Sequence, residues 1–269
     1  MKKTAEQKSN SLKTVYLYFF IVFICIVVSL VIKGVFIIQQ SKFDPAHHFT
    51  LAVTKDNKVK EIIAFNPQTP AVWVLSVDKN IPYTDLARKY GITTDGYIQV
   101  GDSVTPGSDV IGFLWSSITH TGLWRSDITL FDKIRLLLLT KNVTTNNETA
   151  EDVTLSEQSP STDITVINAL TDQEIANENI SIQILNGTDI PGFGQQLGLV
   201  LSNLGANVVD IATAQKIQKK SAIAYFGNES YTLDRVDKLL QLSPTKLHQQ
   251  GIADIVITIG TDKKNTTEF

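Results

Sequence analysis

At 269 residues, 43% hydrophobic and 19% charged, the chain has length for about two ordinary domains and too much apolar content to be disordered or fibrous. A net charge of −3 and a pI near 5.8 exclude the strongly basic surface that nucleic acid demands, so no nucleic-acid partner is expected. One cysteine, Cys25, excludes an intrachain disulfide and a zinc site of clustered thiolates.

Residues 1–14 form a short arm with Lys2, Lys3, Lys8 and Lys13 against Glu6. The run that follows, residues 15–32, holds no charge, and fourteen of its side chains are Phe, Ile, Leu or Val. On an insertion scale of roughly −0.3 to −0.6 kcal/mol each, these favour the bilayer by about 4 to 8 kcal/mol, more than the roughly 3 kcal/mol that Lys33 costs at mid-membrane. Lys33 sits near the end of the run, where its amine can snorkel to the headgroups. Residues 15–38 are therefore read as an uncleaved transmembrane anchor, since Lys33-Gly-Val-Phe-Ile-Ile-Gln-Gln40 offers no small-residue cleavage pattern. The bilayer is the first partner this implies. The basic arm predicts a cytoplasmic N-terminus by the positive-inside rule, and an extracytoplasmic C-terminus on the plasma membrane. The arm carries +3 of the chain total of −3, leaving the remainder at −6.

A small mixed αβ domain is expected over residues 44–142. Residues 49–55, 59–65 and 71–77 are rich in β-branched and aromatic side chains and are separated by polar or proline-containing breaks, the pattern of three strands. Residues 83–89 suit a short helix stopped by Gly91, and residues 97–100 a fourth strand. Thr129-Leu-Phe-Asp132 has the spacing of a capping box ahead of the helical run Lys133-Ile-Arg-Leu-Leu-Leu-Leu139. Residues 143–178 are expected to be a flexible linker and lead-in, because 143–163 is dominated by Thr, Asn, Glu and Ser and buries too little to offset its ordering entropy.

Residues 179–263 form the last domain, followed by a tail, 264–269. Phe193, Leu197, Val200, Leu201 and Leu204 recur at i, i+4, i+7, i+8 and i+11, one stripe of an amphipathic helix. Asp189 or Thr188 suits its cap, Pro191 its first turn and Gly205 its exit. Strands are expected at 180–186, 207–212, 221–226 and 254–259. A second helix at 232–242 turns Leu233, Val236, Leu239 and Leu240 inward. The fold class is thus α/β (mixed α+β): one N-terminal transmembrane helix, a small mixed αβ domain, and a C-terminal βαβ-βαβ two-helix domain.

Signals for chemistry are weak. Asn186-Gly-Thr-Asp-Ile-Pro-Gly-Phe-Gly194 lies between a strand and a helix, where phosphate loops occur. It has Phe193-Gly194 where a Walker motif needs Lys-Ser/Thr. As a dinucleotide fingerprint it lacks the third glycine, although Asp210 stands where a ribose-binding acid would. A tight loop, with Asn186 and Thr188 bonding free amides, explains these residues without a ligand. The His47-His48 pair is expected to be exposed or interfacial, because adjacent residues on an extended segment point apart. Trp73, Trp115 and Trp124 with Tyr97 offer either a sugar-stacking platform or core packing, and packing is the commoner use. No catalytic, cofactor-binding or metal-ligating residue is assigned, and no cofactor.

Ile182-Gln-Ile-Leu-Asn-Gly-Thr188, Gly192, Gly194, Leu204-Gly205, Val208-Val-Asp-Ile211 and Ile257-Thr-Ile-Gly-Thr-Asp262, with the lead-in Leu170-Thr-Asp-Gln-Glu-Ile175 and Glu178, together resemble the C-terminal domain of LytR–CpsA–Psr envelope proteins. In that family the domain often follows a membrane-anchored module that moves lipid-linked glycopolymers onto peptidoglycan, with arginines and aspartates holding a pyrophosphate and a metal. Here Lys79-Asn80 stands where an Arg-Asp pair would be, so the resemblance implies a shortened, degenerate and non-catalytic relative of that module. The expected partners are peptidoglycan, a wall glycopolymer or other envelope proteins. The alternative is a glycopolymer phosphotransferase using Arg88 or Arg125 with Asp78 and Asp85.

Overall fold

The computed structural model describes residues 3–66, 71–101, 109–120, 124–144, 152–155, 167, 169–248 and 251–263. Helix α1, Lys3–Gln39, carries a 25-residue apolar segment, Val15–Gln39, long and apolar enough to cross a membrane. Cys25 is exposed on it.

The first domain is built on strands β1 (Phe49–Lys55), β2 (Lys58–Asn66), β3 (Ala71–Pro82), β4 (Gly96–Gln99), β5 (Arg125–Ser126) and β6 (Asp152–Leu155), in spatial order β5-β4-β1-β2-β3-β6. The meander β1-β2-β3 is antiparallel, and β4 and β6 add parallel strands on either side of it. Both faces are apolar, so the strands read as near-continuous hydrophobic runs. Phe49, Leu51 and Val53 point into one core, under helices α3 (Val110–Thr119) and α4 (Leu130–Thr144). Ile62, Ala64 and Leu75 point into the other, under the short helix α2 (Leu86–Tyr90), Ala169 and Leu170.

The strand and helix expectations here hold, with β3 running five residues further than expected and α3 and β5 unforeseen. The capping box is present: the Asp132 carboxylate accepts from Thr129 N and Oγ1, both at 2.8 Å, and Thr129 Oγ1 accepts from Asp132 N.

The linker expectation for residues 143–178 needs correction. Residues 152–155 are strand β6, in register with Val74–Val77 of β3, because a parallel edge position satisfies backbone groups whatever the side chains are. Ala169 and Leu170 are buried, and helix α5 (Gln173–Glu178) follows, with the Asp172 carboxylate accepting from Glu174 N. Residues 145–151 and 156–166, like the tail 264–269, lie outside the described residues.

The second domain comprises β7 (Ser181–Asn186), α6 (Phe193–Asn203), β8 (Asn207–Thr213), β9 (Ala222–Tyr225), α7 (Tyr231–Leu240), β10 (Thr245–Lys246) and β11 (Ile255–Ile259), with strand order β10-β9-β11-β7-β8. The expected α6 stripe is buried from Phe193 to Leu204. β7-α6-β8 is a parallel βαβ unit, and β9-α7-β10 is a second. β11 then inserts between the two units, parallel to β7 and antiparallel to β9. Carboxylates lock both ends of this sheet: Asp254 accepts from Ser181 N and Oγ, and Asp262 from Ser221 N and Oγ.

Glycine sets how closely α6 lies on the sheet. A Cβ at Gly198 would sit 2.5 Å from Ile211 Cδ1. At the helix exit Gly205 has φ +92°, its N–H bonds Ser202 O, and Ala206 N bonds Leu201 O, a Schellman cap.

Candidate functional site

In the 186–194 loop Asn186 and Thr188 do bond free backbone amides. Asn186 Oδ1 accepts from Thr188 N (3.0 Å) and Thr188 Oγ1 (2.7 Å), Thr188 Oγ1 accepts from Ile190 N, and Asn186 Nδ2 donates to Ile190 O. Neither Thr188 nor Asp189 caps α6, whose N-cap is Gly192 at φ +79°. Asp210 is engaged by Gln183 Nε2 across the β7–β8 pair at 2.7 Å. The Asn186 and Thr188 side chains bond within the loop.

The histidines at the domain seam turn to different partners. His47 stacks on Tyr231 with ring centroids 4.4 Å apart, and its Nδ1 lies 2.9 Å from Glu174. His48 is buried, its Nε2 2.8 Å from the Ala169 carbonyl and its Nδ1 without a hydrogen-bond partner among the described residues. Burial drives the His48 pKa below its ordinary value, against the pull of the Ala169 bond and of Asp95 and Asp172, so the ring is neutral. Since a carbonyl only accepts, Nε2 carries the proton.

Where α2 meets α6 and α7, the two domains join through side chains far apart in sequence. Asn203 Nδ2 donates to Tyr90 O (3.2 Å) and Gly91 O (3.0 Å), ending α2 with a side chain from the other domain. Gly91, at φ +63°, leaves no room for a side chain: a Cβ would come 2.5 Å from Leu199 Cγ. Arg235 Nη2 and Asp95 Oδ1 form an ion pair at 2.6 Å, largely shielded from solvent, while Asp95 Oδ2 accepts from Thr50 N and Oγ1. Burial is the largest single influence and disfavours the guanidinium charge, but Asp95 together with Tyr231 and Asp172 outweighs it and raises the Arg235 pKa. Tyr231 OH donates to Asp172 at 2.7 Å. Burial and that carboxylate together hold its phenol protonated, well above the usual range.

Beside these contacts lies a cleft of about 440 Å³ that is the candidate site. Its walls come from the segment after α1 (Ser41, Lys42), the stretch from Tyr83 to Asp95, and α7 with its exit (Arg235, Lys238, Gln241). Tyr83 OH and Thr94 Oγ1 lie 3.0 Å apart, and the Tyr83 ring lies 5.5 Å from that of Tyr97. Two of the cleft's cations are matched by carboxylates in its own wall, Arg235 by Asp95 and Lys42 by Asp127 at 2.7 Å. Hydroxyls, one amide, a phenol and neutralised ion pairs suit a polyhydroxylated ligand better than a concentrated anion.

Residues 179–262 match the LytR_C family model. That model is described as the LytR cell envelope-related transcriptional attenuator, and it spans the β7–β11 domain, a little under a third of the chain. Comparisons with curated proteins and with solved structures give no match. The expected C-terminal domain is therefore present, and the LytR_C assignment associates the chain with the cell envelope. The resemblance proposed for the first domain has no corresponding match.

Several residues named from the sequence stand apart from the cleft. Arg88, Arg125 and Asp85 are not among its walls, and the side chains of Asp78, Lys79 and Asn80 lie outside the described residues. The tryptophans do not form one platform. Trp124 is buried against Phe113, Trp73 packs on the α2-side core, and Trp115 is exposed on α3. Tyr97 does have an aromatic neighbour, Tyr83. Sequence spacing could not assemble the cleft, since Tyr83, Asp95 and Arg235 meet only once the LytR_C domain docks.

Proposed function

We propose that this chain is a membrane-anchored, extracytoplasmic cell-envelope protein that binds peptidoglycan or a wall glycopolymer in the cleft between its two domains, without catalysing transfer. α1 supplies the anchor, with its basic arm in the cytoplasm. The observation that carries the reading is the internal neutralisation of the cleft. Arg235 and Lys42 are each occupied by a carboxylate, which leaves Lys238 as the cleft cation with no ion-pair partner among the described residues. A pyrophosphate clamp needs several donors converging on it, whereas sugar hydroxyls need mixed donors and acceptors beside an aromatic edge. The phosphotransferase reading would require Arg88 or Arg125 to face the same cavity as Asp85.

The test is cosedimentation of the detergent-solubilised full chain with purified peptidoglycan. Retention is expected for the wild type, with at least a several-fold loss in Tyr83→Ala and Gln241→Ala. Equal retention of both variants would move the ligand to another surface. Transfer of a lipid-linked glycan by the purified chain would replace the binding reading with the enzymatic one.

A further inference from the structure

The helical layer of the first domain has an apolar outer side. On α4, Leu130, Ile134 and Leu138 recur every four residues and are 48%, 41% and 57% exposed, and Trp115 of the neighbouring α3 is 59% exposed. The inner side of α4 is fully used: Asp132, Lys133, Leu136 and Thr140 are buried, and Lys133 Nζ donates to Ser117 O. Exposed apolar stripes of this kind mark protein or membrane contacts. The chain itself decides between them.

The 25-residue apolar segment of α1 is about 37 Å long at helical rise, more than the roughly 30 Å of a hydrocarbon core, so its end at Gln39 reaches the headgroup zone. Two residues later Ser41 Oγ donates to the Asp132 carboxylate, followed by Lys42 N (3.3 Å) and Phe43 N (3.2 Å). Arg135 Nη1 donates to Phe43 O at 2.9 Å and its guanidinium lies over the Phe43 and Phe131 rings. The first turn of α4 is thereby pinned within roughly 10 Å of the end of the span, at most about 3.6 Å per intervening residue. An apolar stripe tethered that close to the end of the span, in a helical layer that also exposes an indole, is within reach of the interfacial zone, the medium in which an indole is most at home.

We propose that the outer side of α3 and α4 docks on the lipid surface of the outer leaflet, through Leu130, Ile134, Leu138 and Trp115. The domain then lies against the bilayer instead of standing off it. This inference rests on α1 being an uncleaved membrane anchor, as proposed above.

The test uses the full chain in phosphatidylcholine–phosphatidylglycerol vesicles, with bromine placed high on the acyl chains of a fraction of the lipid. The chain has three tryptophans, none of them in α1, so quenching by bromolipid reports the ectodomain alone. A quenched component is expected in the wild type, lost in Trp115→Phe and reduced several-fold in Ile134→Asp/Leu138→Asp. Those two positions are exposed, so the substitutions spare the core. Equal quenching in wild type and Trp115→Phe, or none in either, would overturn the docking. Flotation after alkaline carbonate extraction separates the two readings. A chain that floats without Trp115 quenching keeps its anchor and loses the docking, whereas a chain stripped from the vesicles loses both.

Discussion

His48 ties the ionisation of one ring to the joining of the two domains. It is buried and neutral in the fold, with its Nε2 on Ala169 O, and would titrate near 6.5 once exposed. A depressed folded pKa means that the unfolded chain binds more protons below about pH 6.5, so this group's stabilisation is present above that pH and is lost as pH falls toward the folded value. Thermal melts of the full chain are expected to show stability declining from pH 7 to pH 5, with a flatter profile in His48→Gln. An unchanged slope in the variant would assign the decline to another group. Gly91 makes the complementary point about shape. Its φ is +63°, and a Cβ added there would meet Leu199 Cγ at 2.5 Å. Gly91→Ala should therefore cost more than the roughly 1 kcal/mol of a left-handed non-glycine residue, read as a lowered Tm.

At the scale of elements, α4 depends on Asp132. Burial works against its charge, but bonds from Ser41, Thr129 and Phe43 outweigh it and hold the carboxyl below the usual range. Asp132→Ala removes the capping box and the fastening of the segment after α1 together. A loss of about 2 kcal/mol is expected, toward the upper end for a lost cap, measured by denaturant unfolding. Because the folded pKa is depressed, the wild type should lose this contribution only as pH falls below about 4, where an unfolded aspartate takes up its proton. The Thr129/Asp132 box and the α6 stripe were legible in the sequence because both are local, a three-residue reciprocity and a 3.6-residue period. α3 was not: Val110-Ile-Gly-Phe-Leu-Trp-Ser-Ser-Ile-Thr119 is poor in strong helix formers, and its helix is secured by burial of Val110, Phe113 and Leu114 together with Asp109 accepting from Gly112 N. β6 was hidden for a different reason, since Asp152-Val-Thr-Leu155 is only four residues within a polar stretch and its place is set by pairing with β3.

Across the whole molecule, the cleft exists because two domains separated by a polar stretch close on each other. Asn203, Arg235 and Tyr231 reach from the LytR_C domain toward Tyr90, Asp95 and His47 in the first. Glu178, in the lead-in, caps α7 by accepting from Tyr231 N and from Thr232 N and Oγ1. Truncating one member of a shielded ion pair strands the other, so Arg235→Ala is expected to destabilise the two joined domains by about 3 kcal/mol or more. It should also split one unfolding transition into two in calorimetry. A single transition with unchanged midpoint would mean that the pair does not hold the domains together.

The central claim is that wall polymer enters the cleft between the domains. Hydrogen–deuterium exchange of the full chain, with and without soluble peptidoglycan fragments, tests it most directly. Slower exchange is predicted in residues 83–95 and 235–241 together, on both walls of the cleft. Protection confined to one domain away from those segments, or absent at saturating fragment, would contradict it.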